Sequence, residues 1–171
     1  MFTGNPGRLS KTFVREDVGQ NLRSTVGAVG RLMQGKIPRS FFHPGAPHPL
    51  MHVLYVEDND DVRELIVMLL EDEGLTVVSC GSAEAAEIEF AQRHFELLIT
   101  DVSLPSMAGT ELATRLQRSR GDLWVVFCSG YAMRHGLAAW GPRARCLLKP
   151  FEAHELHLLI EEIRTHGAPT P

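Results

Sequence analysis

The stretch VLYVEDNDDVRELIVMLL, residues 53–70, places a strand pattern and a helix pattern on either side of a group of acids. Its first four residues are apolar, as expected for a short strand that is buried on both faces of a sheet. Over 60–73, apolar residues recur three or four positions apart, which predicts an amphipathic helix. Gly74 is placed to end this helix. A strand followed directly by a helix is the unit from which parallel sheets are built.

The same alternation continues to residue 165. Five strands alternating with five helices predict an α/β fold, in which a parallel sheet is covered by helices on both faces. The predicted strands are Val53–Val56, Thr76–Cys80, Leu97–Thr100, Leu123–Cys128 and Cys146–Leu148. The predicted helices are Asp60–Glu73, Ala83–His94, Thr110–Arg118, Ala132–Trp140 and a final helix striped by Leu156, Leu159, Ile160 and Ile163.

Composition excludes several classes of protein. The chain has 171 residues and a mass of 19.0 kDa, which suits one ordinary domain with some residues left over. Its apolar runs are far shorter than the ~20 residues of a membrane helix, and its first residues do not form a secretory signal. The three cysteines, at 80, 128 and 146, lie in apolar runs and are predicted to be reduced core residues of a cytoplasmic protein.

Residues 1–50 differ from the rest of the chain. They hold seven Lys or Arg against two acids, a net charge of +5, whereas the remainder carries −9. Their Gly and Pro content predicts a largely disordered basic extension, followed by a domain over 51–165 and a tail over 166–171. Two interpretations stay open, a flexible arm that contacts a partner or nucleic acid and an extension without function. Few aromatic residues and no known motif make nucleic acid the less favoured partner.

Polar side chains stand where the predicted strands end. Glu57 and Asp58 follow the first strand, Asp101 the third, Ser129 the fourth and Lys149 the fifth. In parallel sheets these ends share one edge, and ligands bind in the crevice beyond it. The five side chains are therefore predicted to meet in one site.

The chemistry of this site follows from its charges. Three carboxylates repel one another unless a cation lies among them, and hard oxygen ligands suit Mg²⁺. Lys149 adds a second cation, and Ser129 adds a hydroxyl donor. Together they could neutralise a phosphoryl group while a carboxylate attacks it. Asp101 is the predicted nucleophile, because it ends an apolar strand and a turn follows it.

Four segments carry a resemblance to a known family. VLYVEDND (53–60), LLITDVSLPSMAGTEL (97–112), VVFCSGYA (125–132) and LLKPFEAHEL (147–156) together resemble the receiver domain of two-component response regulators. The resemblance covers roughly 51–165, and its specificity comes from the ordered set rather than from any single segment. It implies a flavodoxin-like, doubly wound sheet of five parallel strands in the order 2-1-3-4-5, with five helices.

The resemblance also implies a function. Asp101 would accept a phosphoryl group from a phosphohistidine on a sensor histidine kinase or a histidine phosphotransfer protein. The ligands implied for Mg²⁺ are Asp58, Asp101 and the backbone carbonyl of Ser103, with Glu57 acting through a water. Such a chain is a switch that promotes its own phosphorylation and dephosphorylation, not an enzyme with a separate substrate.

Further roles are implied around the phosphate. Ser129 would turn inward to bond it, Lys149 would pair with it or with Asp101, and Pro150 would form a turn after a cis peptide bond. Ser103 and Tyr131, each two positions past a site residue, would set how fast water reaches the phosphate.

Three features depart from the family, of which the mildest is the pair Leu104, in place of the usual Met before Pro105, and Ala108, in place of a common acid before Gly109. Cys146 stands where an aromatic switch residue is usual, three positions before the lysine, which puts coupling to the output surface in doubt. The stretch 129–149 is short, so the fourth helix is expected to be truncated or irregular.

No output domain is recognisable, so the sequence predicts a stand-alone receiver that acts by docking to another protein, as a phosphorelay shuttle or as a phosphate sink. Homodimer formation is left open. The alternative function is a binding module that works without phosphorylation. A dehalogenase-like phosphatase is disfavoured, because Ser103 stands where that family has a second Asp.

Overall fold

The computed structural model describes residues 51–133 and 136–167, in one five-stranded sheet with helices on both faces. The predicted extension 1–50 and residues 168–171 of the predicted tail lie outside this part. Within it, no helix is long and apolar enough to cross a membrane. The strands are β1 His52–Val56, β2 Thr76–Cys80, β3 Leu97–Asp101, β4 Trp124–Ser129 and β5 Ala144–Leu148. The α-helices are α1 Asp60–Asp72, α2 Ala83–Gln92, α3 Gly109–Ser119 and α4 Ala153–Gly167.

All strand pairs are parallel, and the order β2-β1-β3-β4-β5 confirms the expected topology. The central strands β1, β3 and β4 are almost wholly buried. This burial explains why they are continuous apolar runs rather than alternating ones. The register places Asp101 of β3 beside Cys128 of β4, and Ser129 beside Leu148 of β5. The strand ends that carry the predicted site are therefore aligned.

Each face of the sheet has its own core. On one face, Ile66 and Leu70 of α1 pack with Ile160 of α4 against the sheet. On the other, Phe90 of α2 packs with Leu112 of α3. The apolar stripes predicted from the sequence are the buried faces of these helices.

Helix α1 begins and ends as its sequence predicts. The side-chain oxygen of Asn59 accepts a hydrogen bond of 3.1 Å from the N–H of Val62, which caps the first turn. Gly74 adopts a φ of 75°, a left-handed conformation that glycine reaches without strain. Local signals in the sequence therefore set both ends of α1.

The connection between β4 and β5 corrects the predicted helix count. In place of a helix over 132–140, the described residues show a single 3₁₀ turn, Leu137–Trp140, and residues 134 and 135 lie outside the description. The described part thus has four α-helices and one 3₁₀ helix. Gly136 and Gly141 flank the turn and disfavour a longer helix. Trp140 meets the ring of Phe127 edge to face, with centroids 4.8 Å apart.

Strand β5 begins two residues earlier than predicted, at Ala144. The charged Arg145 interrupts the apolar pattern, but its guanidinium pairs with Glu162 of α4 at 2.7 Å. This pairing lets a charged residue lie within the edge strand. The prediction of three core cysteines holds for Cys80 and Cys128, which are buried, while Cys146 on β5 is only half-buried.

Candidate functional site

The predicted acidic residues meet at the carboxyl edge of the sheet. Glu57 and Asp58 directly follow β1, and Asp101 is the last residue of β3. Carboxylate oxygens of these three residues lie within 4.8 Å of one another. This trio, here called the acidic cluster, is the arrangement that the strand ends predicted.

Lys149 joins two members of the acidic cluster. Its Nζ lies 2.7 Å from Oε2 of Glu57 and 2.5 Å from Oδ2 of Asp101. The side chains of Lys149, Glu57 and Asp101 are 20%, 4% and 14% exposed. Ion pairs this far from water are costly unless each charge finds partners, so the three groups depend on one another.

Burial and pairing act in opposite directions on these groups. Burial raises the pKa of Glu57 above its ordinary value, although the ammonium of Lys149 opposes the rise. For Lys149, burial alone would lower the pKa, but the carboxylates of Glu57 and Asp101 outweigh burial and raise it. Lys149 is therefore charged throughout the neutral range. Three formal carboxylates against one ammonium leave the cluster negative and favourable to a further cation.

Asp101 is also held from its other side. Its Oδ1 accepts a hydrogen bond of 2.8 Å from the backbone N–H of Ser103. The N–H of Gly109 donates to the carbonyl of Val102 at 3.1 Å, which draws the start of α3 against the end of β3. A Cβ on Gly109 would lie 1.9 Å from the backbone oxygen of Asp101, so only glycine fits there. Asp101 thus stands on a rigid strand end with little freedom to turn.

The residues expected around the phosphate are near the cluster but are differently engaged. The hydroxyl oxygen of Ser129 accepts a hydrogen bond of 3.1 Å from the N–H of Tyr131. The carbonyl of Ser129 accepts one of 2.8 Å from the N–H of Lys149. The peptide bond between Lys149 and Pro150 is cis. Tyr131, two positions beyond Ser129, is 77% exposed.

The thiol nearest to Asp101 is not available for chemistry. Cys128 is fully buried beside Asp101 in the sheet, and burial raises its pKa to about 12. Cys146 lies opposite Phe127 in the register of β4 and β5. The ring that touches Phe127 comes from Trp140, in the 3₁₀ turn, rather than from position 146.

Three features were not anticipated from the sequence. They are the ion pair between Glu57 and Lys149, the bond from the Ser103 amide to Asp101, and the contacts of Arg63 beside Glu57. The first joins residues 92 positions apart, and no local pattern reports such a pair. One indication for Arg63 was present in the sequence, namely that it lies one turn into a helix whose first residues are acidic.

The chemical capacity of the arrangement follows from its donors. Carboxylate oxygens are hard ligands of the kind that bind Mg²⁺ with several waters retained. Asp58 is exposed, and none of the side-chain hydrogen bonds in the described part of the chain uses it. The cluster thus has one exposed carboxylate, at Asp58, that no described side-chain hydrogen bond engages and that can serve as a ligand for a divalent cation.

Comparison with known proteins identifies the family of the chain. The family model "Response regulator receiver domain" matches residues 53–161. The response regulator receiver protein CpdR of Brucella abortus is 33% identical over 116 residues, 67% of this chain and 97% of CpdR. The sensor kinase CckA of the same organism is 34% identical over 116 residues, which are 65% of this chain but only 12% of CckA.

Solved structures show the same fold. A CheY-like receiver domain protein from Methanospirillum hungatei matches 70% of this chain and 97% of its own, with a TM-score of 0.63 and 25% identity. The response regulator TrrA of Thermotoga maritima, solved in complex with Mg²⁺-BeF, matches 67% of this chain and 99% of its own, with a TM-score of 0.60 and 25% identity. The chain belongs to the response regulator receiver domain family of two-component systems.

Proposed function

We propose that this chain is the phosphoacceptor of a two-component phosphorelay and that Asp101 takes the phosphoryl group. The observation that carries the proposal is the placement of Asp101. Its carboxylate stands at a rigid strand end, 2.5 Å from the ammonium of Lys149 and within 4.8 Å of oxygens of Glu57 and Asp58. A nucleophile, a fixed cation and free hard ligands are the parts that phosphoryl transfer to a carboxylate needs.

In the proposed reaction, a carboxylate oxygen of Asp101 forms a bond to phosphorus while the bond from phosphorus to the donor histidine nitrogen breaks. The nitrogen keeps the electron pair and regains a proton. The Ser103 amide and Lys149 orient the carboxylate. Mg²⁺, when bound, offsets charge on the phosphoryl oxygens; Asp58, Asp101 and the Ser103 carbonyl would hold it, with Glu57 acting through a water.

The switch would follow from the charge gained. A phosphorylated side chain carries about −1.5 to −2 at neutral pH and offers strong acceptor oxygens. Lys149 would pair with these oxygens. The Ser129 hydroxyl would turn from the Tyr131 amide toward them. Ser103 and Tyr131, at the mouth, would control how water reaches the phosphate.

The proposed donor is a sensor histidine kinase or a histidine phosphotransfer protein, and kinases such as CckA among the relatives support this choice. The phosphorylated form would alter binding to a downstream protein rather than to nucleic acid. Such a chain promotes its own phosphorylation and dephosphorylation. Three free thiols fit a reducing compartment, the cytoplasm.

The test is phosphorylation by acetyl phosphate with Mg²⁺, followed by intact mass. Wild type is expected to gain one phosphoryl group and D101N none. D61N is the matched control, because Asp61 is an exposed acid of the first turn of α1 outside the cluster, and it should be labelled like wild type.

Label on D101N at the wild-type level would refute Asp101 as the acceptor. If wild type takes no label from acetyl phosphate or from a phosphorylated kinase, although it binds Mg²⁺, the chain is instead a module that binds partners without phosphorylation.

A further inference from the structure

Arg63 links the first turn of α1 to the end of β1. Its Nη1 donates a hydrogen bond of 2.9 Å to the backbone oxygen of Glu57. Its Nη2 lies 2.5 Å from Oδ1 of Asp60. The side chain is only 20% exposed although it lies on an outer helix. A guanidinium held at both ends and largely covered is fixed in place.

The contact with Glu57 bears directly on the acidic cluster. The N–H of Glu57 donates to the carbonyl of Cys80 at 3.2 Å, so with Arg63 on its carbonyl both peptide groups of Glu57 are engaged. The next residue, Asp58, is exposed, and no side-chain hydrogen bond among the described residues orients its carboxylate, so the direction of the side chain is set by the backbone at Asp58. Beyond it, Asn59 is held by its bond to the first turn of α1. Arg63 therefore fixes the peptide that joins Glu57 to Asp58.

Gly81, in the loop after β2, lies next to the side chain of Arg63. A Cβ built on Gly81 would lie 3.3 Å from Nη1 of Arg63 and 3.7 Å from its Cζ. The space that a side chain at position 81 would take is therefore next to the guanidinium. A methyl group at position 81 would displace Arg63 by a few tenths of an ångström without removing its charge.

We propose that Arg63 is a positioning residue for the acidic cluster, which it serves by holding the peptide between Glu57 and Asp58 in the orientation that binds a divalent cation. This inference rests on the proposed function of the cluster as a Mg²⁺ site. Its basis is the two-headed contact, because one planar group reaches the Glu57 carbonyl and the Asp60 carboxylate together. The ammonium of a lysine offers no such fork.

Positioning and charge predict opposite results. As a positive charge near the cluster, Arg63 would oppose a second cation, and its removal would tighten Mg²⁺ binding. As a positioning group, its removal would loosen Asp58 and weaken Mg²⁺ binding. Lysine keeps the charge and loses the fork, so R63K and R63M together separate the two roles.

The experiment measures metal affinity in the full chain. Free Mn²⁺ is followed by electron paramagnetic resonance, and Mg²⁺ is added as a competitor. We expect R63M and R63K each to weaken Mg²⁺ binding about tenfold, the lower end for loss of a group that orients metal ligands. Tighter binding by R63M with wild-type binding by R63K would overturn the proposal and leave Arg63 as a charge alone.

Two further variants complete the design. R115M is the matched control, because Arg115 also pairs with two acids, Glu87 and Glu111, but on the surface between α2 and α3. Its Mg²⁺ affinity should equal that of wild type. G81A should weaken binding by a smaller factor and add nothing to R63M in the double variant. If the losses of Mg²⁺ affinity in G81A and R63M were fully additive in the double variant, the effect of G81A would not act through Arg63.

Failure of this inference is distinguishable from failure of the metal site itself. D58N should abolish competition by Mg²⁺ whatever Arg63 does. If D58N binds like wild type, the proposed metal site is wrong. If D58N loses binding while R63M and R63K keep it, only the role of Arg63 is wrong. Thermal unfolding monitors folding of each variant, and G81A, which keeps every side-chain contact group, carries the test if R63M does not fold.

Discussion

Acidic and basic side chains meet at both ends of the parallel strands, but they are buried at the carboxyl ends and half-exposed at the amino ends. At the carboxyl edge, Lys149 and Glu57 form an ion pair in which the carboxylate is 4% exposed. At the amino edge, Glu96 accepts from the backbone of His52 and contacts the rings of His52 and His94, and its side chain is 41% exposed. The buried carboxylate of Glu57 therefore depends on its lysine partner, whereas the half-exposed carboxylate of Glu96 depends little on the histidines.

The largest difference is expected when a base is removed from the carboxyl edge. K149M leaves the buried carboxylates of Glu57 and Asp101 without a cationic partner, which should lower the free energy of unfolding by about 3 kcal/mol. Urea unfolding at neutral pH measures it. Added Mg²⁺ should restore stability more in K149M than in wild type, because a bound cation takes the place of the ammonium.

The pH dependence of K149M gives an internal check. Burial already raises the pKa of Glu57 in the folded protein above its ordinary value of 4.5. Such a carboxyl group contributes stability at pH values below its pKa in the unfolded chain. That contribution is lost as the pH rises through its pKa in the folded protein. Without Lys149 the rise is larger, so the deficit of K149M should shrink as pH falls from neutral toward about 4.5. If the loss of stability in K149M did not change with pH, the ionised carboxylate of Glu57 would not be its cause.

A glycine pair compares the backbone at the two edges. G109A brings a methyl group against the backbone of Asp101 and should destabilise the fold by about 2 kcal/mol through overpacking. Gly121 lies at the amino edge, and a Cβ there would meet nothing within 4 Å. G121A should therefore stay within about 0.5 kcal/mol of wild type. Equal losses in the two variants would show that the close approach at Asp101 relaxes easily.

The smallest effect is expected for E96Q. The half-exposed contacts of Glu96 with histidines should contribute no more than about 0.5 kcal/mol to the free energy of unfolding. In E96Q the amide oxygen can still accept a hydrogen bond from the His52 backbone. Thermal unfolding at low and high salt measures the loss. A loss as large as that of K149M would erase the contrast between the edges.

Much of this molecule could be predicted from the sequence, because its central signals are local. The apolar run before Glu57 and the stripe from Val62 to Leu70 report burial directly, and parallel topology then brings the strand ends together. What escaped prediction depends on distant partners or on short connections. Arg145 lies within an edge strand, where its guanidinium is paired with Glu162 of the last helix. The turn at 137–140 replaced a helix because glycines bound it. The surroundings of Arg63 come from α1, the end of β1 and the loop after β2, which no local pattern brings together.

The order of the site residues along the chain has a consequence for synthesis. The acids Glu57, Asp58 and Asp101 all precede Lys149, which belongs to the end of the last strand. A chain emerging from the ribosome by its amino end therefore presents its carboxylates before their ammonium partner exists. The first three strands to be made, β1 to β3, must tolerate this unbalanced charge until β5 is added to the sheet. Addition of the last strand to the sheet is therefore also the step that brings an ammonium to the carboxylates.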